Sequence, residues 1–518
     1  MNGTIFPAQA EHIAATVVYY FHKIPGSGVV IRYVQSSHQN DPARTVIELL
    51  LFVFVLRYLV SSSYSPKADS KIALTEEEID ELVEEWSPEP LVSEPTGAEK
   101  VEIEKSHFMF GPIGPKSEVH SSTSNDKRVV VNLASYNHYN FGANPDLKTK
   151  AIEAIRTYGV GPCSAPGFYG TFDVHGRTEA DIAAHIGMPA CIVYSQSFIT
   201  ASSVIPSFCK RGDIIVADKG INYALRQGIQ LSRSIVRWYE HNDMDDLEAV
   251  LERIIADSRG KPPTRRFIIT EGLFENSGDI IDLPRLVEIK SKYKFRLLLD
   301  ETWSYGVLGG SGRGVTEQQN IDPNQVDLLI GSSAGAIAAG GGFCAGSVEA
   351  VEHQRLSSAA FTYSASLPVF LATTASESAK VLQTQPSVTE SLRQNTNALR
   401  MHVSASKNEW MECTSAPESP IVFLNLKEQH VLSRGLTENE QRALLQDVMD
   451  ECFASGVLIT QTRTMPLLAG VKDQWQPRPA LKICVTNALT KKEMERADKT
   501  ISYAIAAVMK RKKWQKGH

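Results

Sequence analysis

From about Val129 onward the chain alternates short apolar runs with segments of helical period. The runs "RVVVNL", "CIVYSQ", "DIIVAD", "RFIITEG", "FRLLLDE" and "VDLLIGSS" end at small, polar or acidic residues and read as buried strands. Between them lie segments such as "DLKTKAIEAIRTY" and "DDLEAVLERIIADS", whose apolar residues recur at helical spacing. Strands apolar on both faces, alternating with amphipathic helices, predict a mostly parallel sheet covered by helices on either side. The class is α/β. After about residue 400 the texture changes to a few strands and helices, closing on "ALKICVTNALTKKEMERADKTISYAIAAVMKR". One strand and one long helix there predict a smaller C-terminal α+β domain.

The N-terminal part is patterned differently. In "TVIELLLFVFVLRYLVSSSY" (Thr45–Tyr64), Val46–Val60 is apolar except for Glu48 and Arg57. As a helix this stretch rises about 22 Å, against a hydrocarbon core of about 30 Å. Polar flanks argue against a buried helix, and a snorkelling Arg57 would extend the reach, so a single membrane anchor is predicted. "HIAATVVYYF" (His12–Phe21) is too short to span and suits an interfacial helix. No basic n-region leads into a cleavable apolar run, so no secretory signal is read. In "LTEEEIDELVEEWSPEP", Thr75 and Glu78 form a capping box, and Ile79, Leu82, Val83 and Trp86 fall on one helix face opposite an acidic one. Pro88 stops that helix, and a polar linker, "SEPTGAEKVEIEK", follows. The expected organisation is 1–44 interfacial segment, 45–64 membrane helix, 65–128 amphipathic helix and linker, 129–400 large domain and 401–518 small domain.

Composition changes this picture little. The 518 residues are 42% apolar and 22% charged with a net charge of −6, which offers no electrostatic footprint for nucleic acid. The basic tail "KRKKWQKGH" (Lys510–His518) reads as a solvated helix end or an anionic-lipid contact. Cysteines stand at 163, 191, 209, 344, 413, 452 and 484, with no C-x-x-C pair and no zinc-type spacing. Reduced thiols facing the cytosol, and no metal, are the expectation.

The chemistry concentrates in three blocks. "FIITEGLFENSGDIIDLPRLVEI" (Phe267–Ile289) precedes "RLLLDETWSYGVLGGSGRGV" (Arg296–Val315), and then comes "DLLIGSSAGAIAAGGGFCAGS" (Asp327–Ser347), leading to "HQRLSSAAFTYSASLP" (His353–Pro368). In order and spacing they resemble the α-oxoamine synthases, fold-type I aminotransferase-like pyridoxal-phosphate enzymes that condense an amino acid with an acyl-CoA. The resemblance runs from roughly Val129 to Lys510. "YGVGPCSAPGFYGTFDVH", "RGDIIVAD", "HNDMDDLE", "GRGVTE", "GGFCAGSVEAVEHQRLSSAAFTYSASLP" and "ELVEEWSPEPLV" are similar to one branch of that family, the long-chain-base subunits 1 of the serine palmitoyltransferases. That resemblance implies a heterodimer at the endoplasmic reticulum membrane, its catalytic fold facing the cytosol. The partner would be a homologous lysine-bearing subunit 2, with small regulatory membrane subunits. The reaction would join L-serine to palmitoyl-CoA, giving 3-oxosphinganine, the first step of sphingolipid synthesis.

Aligning "GSSAGA" (Gly331–Ala336) with the family's lysine motif puts Gly335 where the cofactor lysine belongs, and Asp327–Glu349 holds no lysine at all. Glycine forms no Schiff base. In the same resemblance Asn222 replaces the histidine that stacks on the pyridine ring, and Trp303 replaces the histidine after the pyridinium-pairing Asp300. Lys482 replaces a carboxylate-binding arginine, keeping charge without the bidentate fork. Asp300 is then either a vestigial cofactor residue or a polar strand end. Ser364 and Ser366 match hydroxyls that reach the partner's cofactor phosphate, or else they cap the helix before Pro368. In the loop "GVGPCSAPGFYGTF" (Gly159–Phe172), Gly161 and Pro162 fix a non-helical path that sets Cys163 beside the partner's site, or buries it as a small hydrophobe. Pyridoxal phosphate would be bound covalently by the partner. Two other functions stay open at this point: a self-sufficient α-oxoamine synthase, and a non-catalytic membrane scaffold on the same fold.

Overall fold

A seven-stranded sheet organises the chain from residue 95 onward. Its strands are β4 (Ala190–Tyr194), β5 (Ile214–Asp218), β6 (Ile235–Tyr239), β7 (Arg266–Glu271), β8 (Arg296–Asp300), β9 (Leu328–Ser332) and β10 (Gly342–Gly346), in the order β4-β10-β9-β8-β7-β5-β6. The computed structural model describes residues 22–60, 74–88, 103–120, 127–260, 262–403, 408–468 and 474–514, with a few isolated positions besides. β9, β8, β7, β5 and β6 run parallel, whereas β10 is antiparallel to both neighbours, so the sheet is mixed. Five of the six expected strands lie in it. β6, "IVRWY", escapes the pattern rule because an edge strand keeps exposed and half-exposed positions among its apolar ones.

The sixth run, "RVVVNL", belongs elsewhere. β3 (Lys127–Asn132) pairs with β2 (Lys116–His120) and, in parallel, with β13 (Val457–Leu458), and β1 (Phe108–Phe110) forms the edge of this four-stranded sheet. A third, antiparallel sheet has the order β11-β12-β15-β14, built from Met411–Cys413, Ile421–Leu426, Ala480–Cys484 and Thr460–Gln461. The long closing helix, Lys491–Met509, begins at a capping box of Thr490 and Glu493 and packs on the helices Pro386–Val403 and Glu438–Ala454. The basic tail beyond it is anchored: Lys513 and the Trp514 indole both engage Asp447, and Arg511 pairs with Glu451. Residues 515–518 lie outside the described residues.

Glycines permit the close layering behind the site. A Cβ on Gly331 would collide with the Phe343 ring, and one on Gly342 with the Thr200 hydroxyl. β9 and β10 therefore sit flush against each other and against the helix Ser197–Phe208.

Residues 1–94 form a separate unit. Two helices, Ser27–Asn40 and Pro42–Val60, pack together, and Glu48 receives Arg44 at 2.9 Å and the Tyr33 hydroxyl at 3.5 Å. The expected anchor is thus helical over Pro42–Val60, with Leu49–Val60 exposed, while 61–64 lies outside the described residues. Among the described residues no helix is long and apolar enough to cross a membrane. The helix Glu76–Glu85 carries the expected Thr75–Glu78 capping box and buries none of its residues. Most of His12–Phe21 and of the 93–105 linker lies outside the described residues.

Candidate functional site

The turn after β9 carries Gly335. It is held by backbone bonds, Ala338 N to Gly335 O at 3.0 Å and Ala339 N to Ser333 O at 2.8 Å, and by the Ser332 hydroxyl, which accepts from Ala334 N at 3.0 Å. A Cβ on Gly335 would meet nothing within 4 Å.

Across from this turn the strand ends gather the other candidates. Asn222 is the N-cap of the helix Tyr223–Ser232, its Oδ1 accepting from Leu225 N at 3.0 Å. Its Nδ2 donates to Asp300 Oδ2 at 2.9 Å, and its backbone N–H donates to Glu271 Oε1 at 2.6 Å. Asp300 closes β8 and also accepts from Thr302 N at 2.8 Å. All three residues are buried. Burial pushes the Asp300 and Glu271 carboxyls upward, and for Glu271 the neighbouring Asp300 adds to the rise. Glu275 is raised by burial too, with Lys482 pulling it back.

Trp303 packs on Tyr136 with the rings tilted by 48° and their centroids 4.3 Å apart. The Lys482 ammonium lies 4.9 Å from the Tyr136 ring, 5.4 Å from Phe423 and 5.9 Å from Trp303. This cation inside an aromatic cage is attracted by the ring quadrupoles as well as by Glu275. The residues present do not fit a pyridine ring. The Asp300 oxygen that would take a pyridinium N–H holds an amide instead, and indole, phenol and ammonium are packed on one another.

The second candidate region is better formed. In the loop after the helix Pro145–Tyr158, Cys163 adopts a left-handed φ of 58° and is exposed, so the buried-hydrophobe reading of it is corrected. A fixed turn presents the thiol outward. Its Sγ–H points to the Gly161 carbonyl at 3.7 Å, and Pro162 is half-buried. Gly170 closes the loop: a Cβ there would strike the Ser164 carbonyl. Ser164 in turn accepts from Ser366 N at 3.1 Å, stitching the loop to the Tyr363–Pro368 segment. Ser364 Oγ lies 3.4 Å from Ser195 Oγ, and Ser366 Oγ is buried with no partner. Pro368 caps the helix Val369–Thr384 without a side-chain bond, so the two serines do not serve as its cap. A cavity of about 220 Å³ opens between these segments, lined among others by Thr171, His175, Glu179, Ser195, Arg355 and Ser366.

Comparison with known proteins decides the family. Residues 128–501 match the family model "Aminotransferase class I and II". Serine palmitoyltransferase 1 of Dictyostelium discoideum is 37% identical over 462 residues, covering 89% of this chain and 93% of that protein. The chain belongs to the serine palmitoyltransferase 1 family. Another member, serine palmitoyltransferase 1 of Saccharomyces cerevisiae, is 34% identical and covers 97% of this chain and 96% of its own. Long chain base biosynthesis protein 1 of Arabidopsis thaliana is 40% identical over 77% of this chain and 81% of its own. Among solved structures, Sphingomonas wittichii serine palmitoyltransferase superposes with a TM-score of 0.69 at 20% identity, covering 81% of this chain and 99% of that one. A serine palmitoyltransferase structure with a pyridoxal-phosphate internal aldimine gives 0.65 at 22% identity, with 76% and 90% covered. These two show the shared fold.

For this member of the serine palmitoyltransferase 1 family, reading the residues in order missed Glu271, Glu275 and Tyr136. Glu271 had a signal, an acid closing an apolar strand as Asp300 does, because the two strands are parallel neighbours with Glu271 opposite Asp300. Tyr136 had none: it sits in "LASYNHYNF", before the sheet begins, and reaches Trp303 only through the fold.

Proposed function

We propose that this chain is the non-lysine subunit of a serine palmitoyltransferase, acting by completing the active site of a homologous lysine-bearing partner. The overall reaction joins L-serine and palmitoyl-CoA to give 3-oxosphinganine, CoA and CO2. Pyridoxal phosphate, carried by the partner, supplies the electron sink for the carbon–carbon bond chemistry. This chain supplies the rigid Gly161–Pro162–Cys163 turn at the mouth of the partner's site. It also supplies the Ser364 and Ser366 hydroxyls, as donors to the partner's cofactor phosphate. The observation that carries the reading is the Asn222–Asp300 bond beside a lysine-free turn, since it leaves this chain's own site without a handle for the cofactor.

The names of the relatives support the reaction. The buried, unpartnered Ser366 hydroxyl, tied through its backbone to the Cys163 loop, supports the reach toward a neighbour. The exposed apolar side chains of Pro42–Val60 support attachment to a membrane. The endoplasmic reticulum, with the enzyme fold in the cytosol, is the proposed site. Co-purification from membranes tests the whole. The expected result is a second, homologous chain bearing all the cofactor absorbance. A borohydride-reducible adduct on a specific lysine of the present chain would sink the proposal.

A further inference from the structure

We infer that this chain's own pyridoxal pocket is closed by a self-satisfied cluster of Asn222, Asp300, Trp303, Tyr136 and Lys482, so that restoring the lysine alone does not reopen it. The inference rests on the reading that Gly335 holds the family's lysine position. It goes further by asking what else stands between this chain and a cofactor.

Three observations carry it. The first is that the lysine position is open: nothing lies within 4 Å of a Cβ built on Gly335, and its backbone is not in the left-handed region. The first atom of a side chain is therefore admitted at this position, and the turn's backbone does not bar a lysine.

The second is the wiring of Asn222. One side chain and one backbone N–H make three bonds: Oδ1 with Leu225 N at 3.0 Å, Nδ2 with Asp300 at 2.9 Å, and N with Glu271 at 2.6 Å. Any ring seeking the Asp300 carboxylate must displace a buried amide that also caps a helix. A displaced buried donor loses its partner outright, and that is where hydrogen bonds are expensive.

The third is that the ring space is used. Trp303 and Tyr136 pack in a tilted contact at 4.3 Å, and Lys482 sits over both and over Phe423. Glu271 and Asp300 bring two buried carboxyls to one place with Glu275 beside them, and two cations act there, Lys482 on Glu275 and Arg226 on Glu271. In a pocket that holds a cofactor, the pyridinium would supply positive charge to Asp300. Here the Asn222 amide and the Thr302 N–H take the two Asp300 oxygens instead.

The test uses the full-length chain with pyridoxal phosphate as the probe, borohydride reduction, and mass analysis of the peptide spanning 327–349. That peptide contains no lysine in the parent, so a partner's cofactor cannot contribute to the signal. Gly335→Lys alone is expected to fold like the parent and to show only trace labelling of the peptide. Gly335→Lys combined with Asn222→His and Trp303→His is expected to raise the labelled fraction by about tenfold or more, the factor that one net hydrogen bond represents. Should the triple variant fail to fold, Gly335→Lys with Asn222→Ala and Trp303→Ala stands in, with the same increase expected. Stoichiometric labelling of Gly335→Lys alone overturns the inference, and so does a folded combined variant that labels no better than the single one. Neither result touches the partner-lysine proposal, because the natural chain has glycine at 335 in either case.

Discussion

Asn222 and Asp300 lie 78 residues apart in sequence, yet the amide nitrogen of one donates to the carboxylate of the other at 2.9 Å inside the core. The same amide caps a helix with its oxygen. One side chain therefore ties the end of β8 to the helix that follows β5.

Asn222→Ala removes both bonds at once. It is expected to cost about 1–3 kcal/mol, from a lost cap and an orphaned buried acid. Asn222→Asp should cost more, because it adds a carboxyl to Glu271 and Asp300 in a place where both are already held above their ordinary range. Chemical unfolding of the three proteins at one pH gives the ranking. Equal midpoints for the alanine variant and the parent would show the bridge to be inert.

His241 makes stability depend on pH. Its ring nitrogens meet Asp218 at 2.9 Å and Asp279 and Ser277 at 3.1 Å. Burial opposes its charge, but the bonds to Asp218 and Asp279 outweigh that and lift its pKa to about 9. The folded value lies above the unfolded one, so the contribution is full below about pH 6.5 and disappears as pH rises through about 9. The loss is on the order of 3 kcal/mol across that window. His241→Gln should flatten the profile between these limits while lowering stability at pH 6. An unchanged slope in the variant would remove His241 as its source.

The Cys163 loop is expected to matter across an interface and little within the chain. Cys163 is exposed, so Cys163→Trp should leave the melting temperature of the chain near that of the parent. In the complex, overpacking a fitted surface by about 1–3 kcal/mol would lower turnover roughly tenfold to a hundredfold, or change which amino acid is accepted. Cys163→Ser keeps the volume and should be mild. Assays with serine, alanine and glycine on the purified complex decide it; parental behaviour of both variants with all three would leave the loop a structural turn.

Gly170→Ala separates loop geometry from loop chemistry. Its Cβ meets the Ser164 carbonyl, the same oxygen that accepts from Ser366 N, so the loop and the serine segment must shift together. Activity of the complex should fall while its yield holds. A fully active complex would show that their juxtaposition is dispensable.

Removal of Pro42–Val60 should release the chain into the soluble fraction. Every side chain from Leu49 to Val60 is exposed and nearly all are apolar, a surface that water tolerates poorly and a bilayer does not. Sedimentation of the truncated chain, expressed without a partner, checks this. Continued pelleting with membranes would transfer the anchor to the basic tail or to the first 41 residues.

Much of this protein is decided locally and can be read from the chain. The parallel strands announce themselves because both faces are buried, so "DIIVAD", "FRLLLDE" and "VDLLIGSS" need no context. The Thr75–Glu78 box and the Thr490–Glu493 box depend on residues three apart, and both form. Gly335 can form no Schiff base in any fold, since glycine has no side-chain amine. What depends on distant partners was hidden. β3 looks like its neighbours in sequence but joins β13, more than 300 residues later, because an apolar run carries no information about which edge it will meet. Cys163 reads as a small hydrophobe until a left-handed backbone turns it outward. Lys482 looks like a weakened arginine; only the fold surrounds it with three rings and sets Glu275 near it.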